Sequence, residues 1–369
     1  MMRAFFKTVE HGVKRLVFAL CSVFLRKGRS DFAVIDPATV NRVLFIRPEK
    51  LGDMIISLPV FDNLKRLHPH LQLYVICSPR NVAIVREDGR LAAYYLYTKK
   101  VWRDFGMLRN VRRMRPDVVV DMICDDSVTA LFLTHLSRRE AWHIGVGKNR
   151  HRAYYDFNYQ FRTGDGAHVI DNTLKLLTAF GIDTDPLNRY VPPTIPADRQ
   201  TTADRFYASL DTGSATQIIG LNISAGRPTR VWQEEKNEEL IRRLLDRFLH
   251  HGIIISADPH EHGRAAALAA QFPPRVAAVP GGLDLLEVSA IISRMTLLIT
   301  PDTSLVHIAR SFRVPVVGLY TRFGKNFEMW RPYGQETGAV ISHNDYNIFD
   351  IEVDDVFDMI LKLMPSGEQ

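Results

Sequence analysis

Apolar residues along this chain fall into short unbroken runs, and the longer stretches between them repeat their apolar positions at helical spacing. Runs that are apolar throughout, rather than alternating, belong to strands covered on both faces. In the first half they predict strands at 42–47, 73–77, 94–97, 118–121 and 142–146. Helices are expected at 53–68, at an arginine-rich 103–115, and at 168–180. A segment with four prolines, 186–196, reads as a linker. Beyond it the pattern restarts, with strands at 218–223, 253–257, 297–299 and 314–319 and helices at 233–250, 261–271 and 285–293. An amphipathic helix, 350–364, ends the chain. Strands alternating with helices predict an α/β protein with two parallel-sheet domains, 41–190 and 198–345. Their strand ends are expected to face each other across a ligand cleft.

Length agrees, since 369 residues exceed one ordinary core. Charge changes the picture at one end. Residues 1–30 carry Arg3, Lys7, Lys14, Arg15, Arg26, Lys27 and Arg29 against Glu10, which accounts for the whole net charge of +6. The rest of the chain is balanced, so the basic pI does not call for a nucleic-acid partner. The same arm holds the apolar run 16–25, too short to span a bilayer. Arg26-Lys27-Gly28-Arg29 stands where a signal peptide would have its small-residue cleavage site. The arm therefore reads as a basic amphipathic helix on an anionic membrane surface, or else as a helix docked on the protein's own body. Cys21, Cys77 and Cys124 lie far apart without a CxxC pair, which suits a reducing cytoplasm and excludes a disulfide framework.

Candidate chemistry sits where strands end. Leu297-Leu298-Ile299-Thr300-Pro301 runs into Asp302-Thr303-Ser304, a capped helix start with His307 one turn further on. Unpaired N–H groups and the helix dipole make such a start an anion site. In the same half, Ser224 and Gly226 leave a strand as potential phosphate donors, and Arg227 and Arg230 as neutralising forks. In the first half, the loop of Lys50, Gly52 and Asp53 follows the opening strand. Gly52 permits a tight turn or close ligand approach. Asp53 opens a helix, where it caps, and is also placed to act as a general base. The loop is not GxGxxG and has no ribose-binding acid at the dinucleotide spacing, which argues against a nicotinamide dehydrogenase. Asp125-Asp126 is a poor metal pair because adjacent side chains on a strand end diverge. No metal constellation and no Ser-His-Asp or Cys-His signature stands out.

Taken in order, these pieces resemble glycosyltransferase family 9, the ADP-heptose:lipopolysaccharide heptosyltransferases. The matching residues are Val43–Arg47 with Leu51-Gly52-Asp53, the Asn222/Ser224 loop with Arg230 and Trp232, Asp302–His307, and His168 with Asn172 before the linker. The resemblance implies the GT-B architecture of two Rossmann-like domains. It also implies metal-independent, inverting transfer of a sugar, expected to be heptose from ADP-heptose, onto a lipid-linked acceptor of lipopolysaccharide core or a related surface glycan. In that reading Asp53 takes the acceptor's proton, the diphosphate lies at Asp302–His307, and Arg230 stands where better-known members carry a phosphate-steadying Lys. No cofactor is expected beyond the nucleotide sugar, and the location would be cytoplasmic, peripheral on the inner membrane's inner face. Ser304 replaces a common Gly, and Met122–Asp126 replaces a Gln-Gly run of the acceptor side. Two alternatives stay open: a nucleotide-sugar epimerase on the same fold, and a catalytically silent sugar-nucleotide or membrane-binding subunit.

Overall fold

The structure, a computed structural model, describes residues 25, 28–29, 34–163, 166–210 and 217–364. The helix expected over 1–30 lies outside these residues apart from Leu25, Gly28 and Arg29. Those three attach to the body: Leu25 packs with Leu131 and Tyr155, and the Gly28 and Arg29 N–H groups donate to Ala153 O and Asp156 Oδ1. No described helix is long and apolar enough to cross a membrane.

The chain divides into two compact units. The first reaches to Arg162 and includes Ile170–Asn188; the second holds Thr163–Val169 and Arg189 onward. The first is built on β1 (Arg42–Ile46), β2 (Gln72–Cys77), β3 (Leu91–Leu96), β4 (Val118–Asp121), β5 (Trp142–Val146) and β6 (Phe157–Tyr159), in the order β3-β2-β1-β4-β5-β6. The second uses β7 (Gln217–Asn222), β8 (His251–Ser256), β9 (Val276–Ala278), β10 (Leu297–Pro301), β11 (Val316–Tyr320) and β12 (Ala339–Ile341), in the order β12-β11-β10-β7-β8-β9. Every pairing is parallel. Counted from its own first strand, each sheet has the same doubly wound order, so each reverses direction once, between β1 and β4 and between β7 and β10. Ligands of such sheets bind at that reversal, outside the strands' carboxyl ends.

Helices cover the faces. In the first unit they are α1 (Leu51–Ile55), α2 (Leu58–Leu67), α3 (Val101–Met114), α4 (Val128–Ser137) and α5 (Val169–Leu174), the last continuing as a 3-10 turn to Phe180. The second unit has α6 (Ala197–Ser209), α7 (Glu234–Arg247), α8 (His262–Ala269), α9 (Leu285–Ile292), α10 (Ser304–Ser311), α11 (Asn326–Trp330) and α12 (Val353–Leu363). Strands β4, β10 and β11 are buried at every position, which is why they read as unbroken apolar runs. The terminal helix α12 packs Val353, Val356 and Ile360 into the second unit's core.

The fold departs from the sequence pattern where elements are short or interrupted. The helix expected over 53–68 begins earlier, at Leu51, and breaks after Ile55. It restarts at Leu58 because Pro59 fits a first helical turn and not an interior. Strands β6, β9 and β12 are three residues each, too short for any periodicity, and exist by pairing with a formed neighbour. Strand β3 starts before its expected range, at a half-exposed edge where burial gives no pattern.

Candidate active site

In the first unit the reversal point is a packed ionic cluster. Register puts Ile46 beside Asp121, so the exits of β1 and β4 emerge together. Arg47, 1% exposed, bridges them. Its Nη1 donates to Glu49 Oε2 at 2.8 Å and to Met122 O, its Nε to Asp53 O at 3.1 Å, and its Nη2 lies 3.8 Å from Asp53 Oδ1. Burial opposes the Arg47 charge, but Glu49 and Asp53 outweigh it and hold the guanidinium above its ordinary value. Burial pushes Glu49 up to about 7 against the pull of Arg47. Asn81 stitches the loop to the β2 exit, donating to Arg47 O at 2.8 Å while its carbonyl accepts the Ser78 N–H at 2.8 Å. Behind it, fully buried Lys148 and Asp121 pair at 2.7 Å, and Tyr155 donates to Asp121 Oδ2 at 2.6 Å. Lys148 Nζ also donates to Ile123 O and Asp125 O, so the chain leaving β4 is held at three points.

In the second unit, Asn222 closes the β7–β10 reversal by donating to Thr300 Oγ1 at 2.9 Å and to Ser224 O at 3.0 Å. Thr303 caps α10, accepting the Leu305 N–H, and its hydroxyl meets that of Thr300 at 3.1 Å. Arg230 Nη1 pairs with Asp302 Oδ2 at 2.6 Å, with both side chains partly open to solvent. Asn326, at the start of α11, approaches the same oxygen. His307 is buried against Trp330, the rings 5.6 Å apart. The loop between Ser224 and Trp232 is pinned at its far end, where Trp232 is buried and donates Nε1–H to Ile351 O at 3.0 Å. The result is an arginine and the positive end of a helix beside one strand end, a suitable seat for a diphosphate.

The expected site residues therefore fall into two groups, each within its own unit. Asp53 is the third residue of α1 rather than its opener; its carboxylate accepts the Lys50 N–H at 3.1 Å, while Lys50 is the cap residue and exposed. Gly52 is helical, not a turn residue. Arg230, Asp302, Thr303 and Ser304 come together at the start of α10. Gly226 and Arg227 occupy the exposed crest of their loop, and a Cβ at 226 would meet open space, so no packing requires that glycine. Ser224 is buried and its hydroxyl accepts the Asp258 N–H at 2.8 Å, a bond that joins two loops. Asp126 accepts three backbone N–H groups, from Asn149, Arg150 and His151, and so holds the loop after β5. His168, buried, donates its Nε2–H to Arg331 O at 2.9 Å, and Asn172 exchanges two bonds with the Arg162 backbone.

The roles of Arg47, Glu49, Asp121, Lys148 and Tyr155 were not read from the sequence. The available signal was position, because a charged residue directly after a buried strand has to find a partner or remain solvated. Lys148 and Tyr155 had no such signal, since their partner lies on another strand.

Comparison with known proteins follows the geometry. Residues 106–357 match glycosyltransferase family 9 (heptosyltransferase). The chain is 22% identical to lipopolysaccharide heptosyltransferase 3 of Escherichia coli over 86% of this chain and 97% of that one. Among solved structures, a family 9 glycosyl transferase from Veillonella parvula superposes with a TM-score of 0.73 at 18% identity, covering 90% of this chain and 99% of that one. The E. coli heptosyltransferase WaaC, solved with ADP-2-deoxy-2-fluoro heptose, gives 0.64 at 19% identity over 87% and 99%. These likenesses establish the fold as that of the family's two-domain α/β enzymes.

Proposed function

This chain belongs to glycosyltransferase family 9, and from that premise we propose that it transfers heptose from ADP-heptose to a lipid-linked acceptor of lipopolysaccharide core, or of a related surface glycan, with inversion at the anomeric carbon. The observation that carries the reading is the Arg230–Asp302 pair beside the capped start of α10. It supplies a positioned arginine and the positive end of a helix dipole where a leaving diphosphate gathers charge.

In this reading Asp53 accepts the acceptor hydroxyl's proton as the oxygen attacks the anomeric carbon, and the bond from that carbon to the β-phosphate oxygen breaks with ADP departing. Asp53 is suited to the task because its carboxylate is oriented by the Lys50 N–H and by Arg47. Arg230, with Arg227 on the same loop and the positive end of α10, meets the negative charge on the departing diphosphate. Asp302 repels a phosphate; its part is to orient Arg230. These cationic and dipolar groups take the role a divalent metal plays elsewhere, so transfer is expected to persist in EDTA. Gly226 leaves room for the nucleotide over the loop crest, and His307 with Trp330 forms a wall behind the helix start. We place the enzyme in the cytoplasm, peripheral to the inner membrane where a lipid-linked acceptor is exposed.

Isothermal titration against ADP, UDP, GDP and CDP without metal tests the donor, and selective ADP binding is the expected result. Asp53→Asn should bind ADP as wild type does while transfer falls by at least about a hundredfold. Unchanged transfer would remove Asp53 as the base. Binding of another diphosphate would move the enzyme to a different sugar.

A further inference from the structure

We propose that the outward face of α3, with the groove beside it, is a docking surface for anionic lipid, separate from the catalytic residues and from the arm at 1–30. The helix has two faces of opposite character. Asp104, Met107 and Val111 are buried, with Met107 and Val111 in the core over β1 and β4. Asp104 turns inward to accept from the Thr98 N–H and hydroxyl. The opposite face carries Trp102, Phe105, Arg109 and Arg113, one residue per turn. Trp102 is 89% exposed, Phe105 67% and Val101 79%. Core packing explains none of these three. The helix keeps its large apolar side chains in water at its start and most of its guanidinium groups toward its end.

Charge selects the partner. Lys99, Lys100, Arg103, Arg109, Arg112, Arg113 and Arg115 stand within 17 residues whose one acid, Asp104, is turned inward. The balanced total for residues beyond 30 conceals this local excess. Arg112 and Arg113, with Leu108 and with Leu136 from α4, line an open groove next to the Phe105 ring. Arg112 Nε is held by Leu136 O at 2.7 Å, so this part of the groove is fixed in place. Aromatic rings beside a row of arginines match the boundary of a bilayer, where rings enter the acyl edge and guanidinium groups meet phosphates. A second copy of the same surface, or the basic arm of this chain, is disfavoured by like charge. The choice of lipid over another anionic partner rests on the lipid-linked acceptor proposed above.

The test uses the full chain and vesicles of phosphatidylcholine with or without phosphatidylglycerol. Wild type should sediment with the anionic vesicles, and less as salt rises. Arg109→Gln with Arg113→Gln should weaken this binding roughly 25-fold, about fivefold per arginine. Trp102→Ser with Phe105→Ser should weaken it by roughly tenfold or more. Brominated acyl chains should quench wild-type tryptophan fluorescence, and Trp102→Phe should lose that quenching; no tryptophan lies in residues 1–30. ADP titration of each variant should match wild type, which separates loss of the surface from loss of the fold or of the donor reading. Vesicle binding that is unchanged in both double variants overturns the proposal, as does equal binding to neutral vesicles. Failure to bind vesicles together with arginine-dependent binding of single-stranded RNA overturns it in favour of a nucleic acid.

Discussion

At the scale of single residues, the site depends on charges that orient other charges. Asp302 illustrates this: at the proposed phosphate seat a carboxylate makes sense only through the arginine it holds. Arg230→Ala should weaken ADP binding by about 2 kcal/mol, roughly thirtyfold, the usual worth of a charge-assisted bond. Asp302→Ala should cost less, and the double variant should bind no worse than Arg230→Ala alone. Additive losses in titration would show Asp302 acting independently. Glu49 makes a pH-dependent claim. Its raised value, about 7, means it ionises around neutrality within the cluster that contains Asp53. As pH rises through 7 Glu49 gains its charge and strengthens its bond to Arg47, the guanidinium that orients Asp53, so the rate should climb severalfold over that range. Glu49→Gln should flatten that limb of the kcat profile, and a limb that stays in place would assign it to another group.

At the scale of elements, the functional loops are short and tied at both ends. The loop after β7 begins at the Asn222–Thr300 bond and ends at Trp232, whose ring is sealed in the core. Trp232→Ala should destabilise the second unit by about 3–5 kcal/mol in denaturant titration. Trp232→Phe keeps most of the packing but loses the bond to Ile351 O, so it should cost about 1 kcal/mol in stability and weaken ADP binding by freeing Arg230. ADP binding equal to wild type would show that the anchor does not position the loop. The α1–α2 break is a comparable device in the first unit. It confines Asp53 to a five-residue helix held by Arg47 and Lys50, instead of a long helix that moves as a rod.

At the scale of the whole molecule, one topology occurs twice with different chemistry at its reversal point: a buried ionic cluster in the first unit, an arginine–aspartate pair beside a capped helix start in the second. The segment Thr163–Val169 belongs to the second unit although the chain around it belongs to the first. His168 anchors it, 1% exposed, with burial lowering its value to about 4 from an ordinary 6.5. Between those values the unfolded chain takes up a proton that the native protein refuses. Stability therefore falls as pH drops through this window, by about 3 kcal/mol at pH 4. His168→Gln should remove that part of the acid sensitivity, measured as the change in unfolding free energy between pH 7.5 and 4. An undiminished change would place the sensitivity elsewhere.

The sequence by itself determined the fold class and marked out candidate site loops. Strands buried on both faces must be apolar throughout, and the polar loops at their ends are therefore conspicuous; this is why Asp53, Arg230 and Asp302–His307 stand out as candidates. Only the tertiary structure decided which residues those groups meet. The pairing of Lys148 with Asp121 and the Arg47 bridge to Met122 O join positions far apart in the chain, and the three-residue edge strands β6, β9 and β12 exist only by pairing; no local periodicity encodes such contacts. The outward face of α3 needed both levels. Its arginines were visible as an excess along the chain, but the exposure of Trp102 and Phe105 followed only once the sheet had taken up the opposite face of the helix.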